Sequence, residues 1–130
     1  MNRMGSSREH KKLAEQIIGC AYRVYNAMGF CFVESVYEKC VVIALRKAGL
    51  FVECQKSINV YYDGELVGEF IADLLVNDTI IVELKSVRQL VQAHEVQLVN
   101  YLVATGKPIG LLINFGDSKV DVKRKYKDLH

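Results

Sequence analysis

Two carboxylates and an ammonium stand in segments that otherwise read as buried β-strand. Asp73 lies in Leu66–Val76 (LVGEFIADLLV), and Glu83 and Lys85 lie in Thr79–Val87 (TIIVELKSV). Charges in such surroundings cost free energy unless something compensates them. Strand side chains alternate between faces, so Glu83 and Lys85 share one face and Val82 and Leu84 the other. A cation is the simplest partner for both acids. Hard divalent ions such as Mg²⁺ take carboxylate and carbonyl oxygens, keep several waters and commonly complete their shell with substrate phosphates. Lys85 could then orient or deprotonate an attacking water. The alternative is an internal salt bridge among Asp73, Glu83 and Lys85 on a half-exposed antiparallel face.

Strand register separates the two readings. Asn77-Asp78 is a hairpin turn signal between the two segments. A clean two-residue turn there pairs Val76 with Thr79 and Asp73 with Val82, which sends the two carboxylates to opposite faces. A three-residue turn or a bulge pairs Asp73 with Glu83 instead. A metal site therefore requires an irregular hairpin.

The elements that must position these groups follow from periodicity. Leu13, Ile17, Ile18, Ala21, Tyr25 and Met28 recur at helical spacing between about Glu9 and Met28, and Gly29 stops the helix. A second helix is predicted from about Val33 to Ala48. Strands are predicted near Val52–Tyr62, Gly68–Val76 and Ile80–Val87, then a helix over Val91–Ala104, an apolar strand over Ile109–Phe115, and a short strand or basic tail. The order is α-α-β-β-β-α-β, a mixed sheet covered by helices. On the second helix, Val33, Tyr37, Cys40, Val41, Ala44 and Ala48 form one stripe, with Glu34 falling between Val41 and Leu45 and so looking inward. Glu38 is expected further round, nearer solvent. The other reading of Glu34 is stabilisation of the helix dipole. On the third helix Gln97 and Tyr101 share a face, with His94 three residues before Gln97. Gln97 could orient a water or phosphate, or simply flank a core tyrosine. His94 reads as a surface residue, since no second histidine stands at ligand spacing.

At 130 residues with 51% hydrophobic side chains the chain fits a single domain, 1–130, with a sizeable core. The net charge of +2 does not by itself argue for nucleic-acid binding. Basic residues nevertheless gather at the ends: Arg3, Arg8, Lys11 and Lys12, then Lys119, Lys123, Arg124, Lys125 and Lys127. Such clusters could hold phosphates or be solvated termini. Cys20, Cys31, Cys40 and Cys54 form no Cys-x-x-Cys pair, which argues against a zinc ribbon or thioredoxin-like site. Neither a signal peptide nor a membrane-length apolar run is evident, so a soluble cytoplasmic protein without membrane association is expected.

Several stretches together resemble the GxxExxY family of the PD-(D/E)XK nuclease superfamily: Glu34-Ser-Val-Tyr37-Glu38, Gln55, Val60–Gly64, Ala72–Val76, Ile81–Ser86, His94–Gln97, Asn100–Leu102 and Gly110–Gly116. The likeness runs from Ile17 to Gly116 and departs in the name motif, where Cys31 replaces the glycine three residues before Glu34. The resemblance implies a restriction-endonuclease-like α/β (α+β) core. It further implies Asp73, Glu83, the Leu84 carbonyl and Glu34 as metal ligands and Lys85 beside the attacking water. Gln97 and Tyr101 resemble the Gln-x-x-x-Tyr element of RecB-like nucleases, and so join the candidate catalytic residues. The function implied is a Mg²⁺- or Mn²⁺-dependent nuclease, with DNA favoured over RNA. The alternative is a catalytically silent nucleic-acid-binding or protein-assembly module of the same fold. With no separate DNA-reading domain, weak sequence specificity, a homodimer or a partner supplying the substrate is expected.

Overall fold

The computed structural model describes residues 3–127, with side chains described from residue 7; the side chain of Arg3 lies outside the described residues. Helix α1 spans Arg3–Met28, longer at its start than its apolar periodicity indicates. Its buried residues Leu13, Ala14, Ile17, Cys20, Ala21 and Val24 form one helical stripe. Gly29, at φ 74, closes the helix. Helix α2 is Glu34–Lys47. Strand β1 is Val52–Tyr62, and β2 is Glu65–Val76, extending further towards the hairpin tip than expected. Strand β3 is Ile80–Lys85, and α3 covers Gln92–Thr105, capped by Gly106 in the left-handed region. Strand β4 is Ile109–Phe115, and the basic segment after it is strand β5, Val120–Tyr126.

The five strands form one sheet in the order β1-β2-β3-β4-β5. Only β3 and β4 run parallel, joined through α3; the other pairs are antiparallel. A parallel pair needs such a crossover because the end of one strand and the start of the next lie at opposite ends of the pair. Two cores result. Helices α1 and α2 pack with Leu74, Val76, Ile80, Val82, Leu84, Leu111, Ile113 and Phe115 on one face. Helix α3 packs through Leu98, Tyr101 and Leu102 against Ile58, Ala72, Leu75, Ile81 and Leu112 on the other. Strands β3 and β4 are covered on both faces, which accounts for their largely apolar sequences. Among the described residues no helix is long and apolar enough to cross a membrane.

Candidate active site

The β2–β3 hairpin has the irregular register. Its ladder pairs Val76 with Ile80, Leu75 with Ile81 and Leu74 with Val82, leaving Asn77-Asp78-Thr79 as a three-residue loop. Asn77 and Asp78 both take left-handed conformations, at φ 50 and 53, and the Thr79 N–H donates to the Val76 carbonyl at 3.0 Å. Asn and Asp tolerate that region better than most residues. Asn77 is also held from outside: its Oδ1 accepts from the Phe51 N–H, and its own N–H donates to the Phe51 carbonyl, both at 2.8 Å.

One step beyond Leu74 and Val82, the register sets Asp73 opposite Glu83. Side chains there replace the ladder bonds: the Leu84 N–H donates to Asp73 Oδ2 at 2.8 Å, and the Asp73 N–H donates to Glu83 Oε2 at 3.1 Å. The two strands thus part in a fork with a carboxylate from each lying in it. The Leu84 N–H points to this fork, and in a strand a residue's carbonyl points to the same neighbour as its N–H. Glu83 is only 8% exposed. Its carboxyl is pushed up to about 9, first by burial and then by the charge and contact of Asp73, with Lys85 opposing weakly. Two like charges this close favour a shared proton or a cation between them. Lys85 has no ion-pair partner among the described residues, so the internal salt bridge is not formed.

The neighbouring strand is distorted at the same level. Cys54 pairs with Leu74 and Lys56 with Ala72, but Gln55, across from Asp73, is left out of the ladder at φ 51. Facing reverses at this point: Leu74 packs with the α1–α2 core and Ala72 with the α3 core. A non-glycine residue held in the left-handed region inside a strand is strained, as is common beside functional sites. The Gln55 amide donates to Glu38 Oε1 at 2.9 Å. Burial raises the Glu38 carboxyl, the Gln55 bond opposes that, and the charges of Asp73 and Glu34 raise it further.

The expected arrangement of the two helix acids is therefore corrected. Glu34, the first residue of α2, is exposed, whereas Glu38 is half-buried and senses Asp73. The stripe inferred from sequence included Val33, which is 66% exposed, and omitted Val42, which is buried with Tyr37, Val41 and Leu45. Exchanging these residues turns the buried face towards Glu38, which lies between Leu45 and Val42 around the helix. Glu34 shares that face one turn earlier, at the exposed end of the helix.

From the opposite face α3 brings Tyr101 to the fork. Its hydroxyl is raised by burial first and by the charges of Glu83 and Asp73 next, so it stays a neutral donor. Gln97 is exposed one turn away, and the two line a groove of about 460 Å³. His94 is half-buried, and its Nδ1 accepts from the Val91 N–H at 3.4 Å, a bond local to the helix start.

Two supports went unread in the sequence. Asn114, buried in β4, accepts from the Val87 N–H at 2.9 Å and donates to the Val87 carbonyl at 2.8 Å, fixing the chain just after Lys85. Its signal was a lone amide in an otherwise apolar strand. Ser86 donates through Oγ to the Phe32 carbonyl at 2.7 Å and so ties β3 to the entry of α2.

A divalent ion fits this donor set. Asp73 and Glu83 each use one oxygen on the partner strand's backbone and have a second, and burial together with the Asp73 charge raises Glu83, which a cation between them would relieve. Among the described residues no three His, Cys, Asp or Glu side chains converge on one point. Two carboxylates with carbonyl and water oxygens are nevertheless an ordinary set for Mg²⁺.

The sequence model of the PD-(D/E)XK nuclease superfamily matches residues 11–125, which include both strand acids, Lys85 and the α3 pair. The chain belongs to the PD-(D/E)XK nuclease superfamily. Members of this superfamily generally use divalent metal ions, and the mixed sheet with flanking helices is its restriction-endonuclease-like α+β fold. The crystal structure of SSO0001 has the same fold, with a TM-score of 0.59 and 16% identity over 74% of this chain and 50% of that one. The chain thus spans about half the length of that protein. An alkaline exonuclease, LHK-Exo from Laribacter hongkongensis, aligns at a TM-score of 0.44 and 14% identity, over 88% of this chain and 82% of that one. No curated protein matches the chain in sequence.

Proposed function

We propose that this PD-(D/E)XK protein is a Mg²⁺- or Mn²⁺-dependent nuclease of the GxxExxY type, hydrolysing phosphodiesters in DNA in preference to RNA. The observation that carries the reading is the fork: Asp73 and Glu83 meet across two strands, with Lys85 on the Glu83 face and without an ion-pair partner among the described residues. When bound, a divalent ion would polarise the scissile phosphate and acidify water. Asp73, Glu83 and the Leu84 carbonyl would hold that ion. Lys85 would orient the attacking water and offset charge developing on the phosphoryl oxygens. Tyr101, kept neutral, would donate a hydrogen bond, and Gln97 would position a phosphate or water at the groove. Glu38, held by Gln55, supports the fork from α2, and Glu34 one turn earlier would reach the ion only through intervening water.

The reading includes a cytoplasmic location, with which four free cysteines agree, and a homodimer. Support for the dimer comes from Tyr61, Tyr62, Leu66 and Val67, exposed at the tip of the β1–β2 hairpin.

The test is a cleavage panel of single-stranded, double-stranded and branched DNA and of RNA, with Mg²⁺ or Mn²⁺, run beside Lys85→Ala. Turnover is expected to need the cation and to fall by roughly 10²- to 10³-fold in Lys85→Ala, the scale for losing one electrostatic stabiliser. Cleavage by Lys85→Ala at the parent rate would contradict the assignment. Tight metal binding without cleavage of any polymer would favour a silent binding module.

A further inference from the structure

We infer that the groove between β2 and α3 is a nucleobase subsite, and that the substrate must present an unpaired nucleotide beside the scissile phosphate. The inference deepens the nuclease reading and rests on it for the position of the phosphate. Tyr101 lines the groove and packs in one core with Ala72, the residue before Asp73. A polymer that sets a phosphate at the fork therefore lays its adjoining group into the groove.

The lining selects the chemistry of that group. Three carboxamides, Gln92, Gln97 and Asn100, rim the groove, and Phe70, Tyr101 and Val96 form its walls. None of the lining side chains is charged, so the groove offers no cation to neutralise a phosphate. Carboxamides carry paired donors and acceptors that match the edge of a base. The Phe70 ring is 45% exposed and stands 5.6 Å from the buried Tyr101 ring at 42°, so Phe70 offers the aromatic surface for stacking and Tyr101 backs it. Base–aromatic stacking is how sequence-tolerant proteins hold single strands. The groove volume, about 460 Å³, lies in the range of small-molecule sites. A base in a duplex is stacked and paired and cannot enter without extrusion. The substrates selected are single-stranded ends, flaps or mismatched positions.

The experiment titrates the 130-residue protein, without added metal, into an oligonucleotide carrying one 2-aminopurine, as a single strand and as a duplex. Fluorescence of the single-stranded probe is expected to be quenched, with the duplex bound at least about tenfold more weakly. Phe70→Ala is expected to weaken single-strand binding about tenfold or more, and Phe70→Trp to restore it. Because Phe70 is half-exposed, Phe70→Ala should keep the parent melting temperature, which checks that the fold is intact. Equal binding by Phe70→Ala and the parent, or equal quenching in single strand and duplex, would overturn the subsite. Metal-dependent cleavage of intact duplex unaffected by Phe70→Ala would likewise remove the subsite while leaving the nuclease reading. Single-strand binding that depends on Phe70 without cleavage of any polymer would support the subsite and remove the nuclease reading.

Discussion

Glu83 is the residue on which the chemistry and the stability of the fork meet. Its carboxyl titrates at about 9 in the folded metal-free protein, against 4.5 when unperturbed. A carboxyl raised on folding adds stability that is fully present below its unfolded value and is lost as pH rises through the folded one. The metal-free protein is therefore expected to lose stability between about pH 5 and pH 9, a slope that urea melts would measure and that Glu83→Gln should flatten. Cys31 offers a second residue-scale test. It stands at φ 93, where the resembling motif has glycine. Cys31→Gly is expected to stabilise the fold by about 1 kcal/mol in chemical denaturation, since it removes left-handed strain that exceeds the entropy glycine adds. The acids, Lys85 and the strand alternation were legible in sequence because charges inside apolar strands are conspicuous. Gln55 and Asn114 were not read as site residues, because an amide's partner lies far away in the chain: Glu38 for the first and Val87 for the second.

Among the elements, α3 carries the groove and Tyr101, and its seat on β4 is tight. A Cβ at Gly110 would come within 2.6 Å of Leu98 Cδ1 and 2.8 Å of its Cγ, and Leu98 is fully buried. Gly110→Ala is expected to cost about 1–3 kcal/mol by overpacking and to lower turnover by displacing α3. Adding Leu98→Ala should recover part of the Gly110→Ala loss in urea melts, because the clash and the cavity offset one another. Element order and most boundaries were legible from periodicity and turn residues. Helix phase was not: Val33 and Val42 are chemically alike, and only packing decides which is buried. Hairpin register was legible only as a condition, because Asn77-Asp78 marks a turn without fixing whether Thr79 joins the loop or the strand.

Across the whole molecule, the fork exists because β2 must serve two partners. It pairs with β3 only through Leu74–Val76, then continues with β1 as a two-stranded ribbon to the hairpin tip. Helices α1 and α2 close one face of the sheet and α3 the other, so the parting strands lie between Glu38 from one side and Tyr101 from the other. Such convergence depends on long-range packing, which a local sequence pattern does not specify. The most direct test of the fork as a metal centre is calorimetric titration of Mn²⁺ at pH 7 in two buffers of different ionisation heat. Metal binding must displace the proton that the raised Glu83 carboxyl holds at that pH. The expected result is a saturable isotherm with proton release in the parent, retained in Lys85→Ala and lost in Asp73→Asn and Glu83→Gln. Undiminished Mn²⁺ binding by Asp73→Asn and Glu83→Gln, or no binding by the parent, would contradict the account.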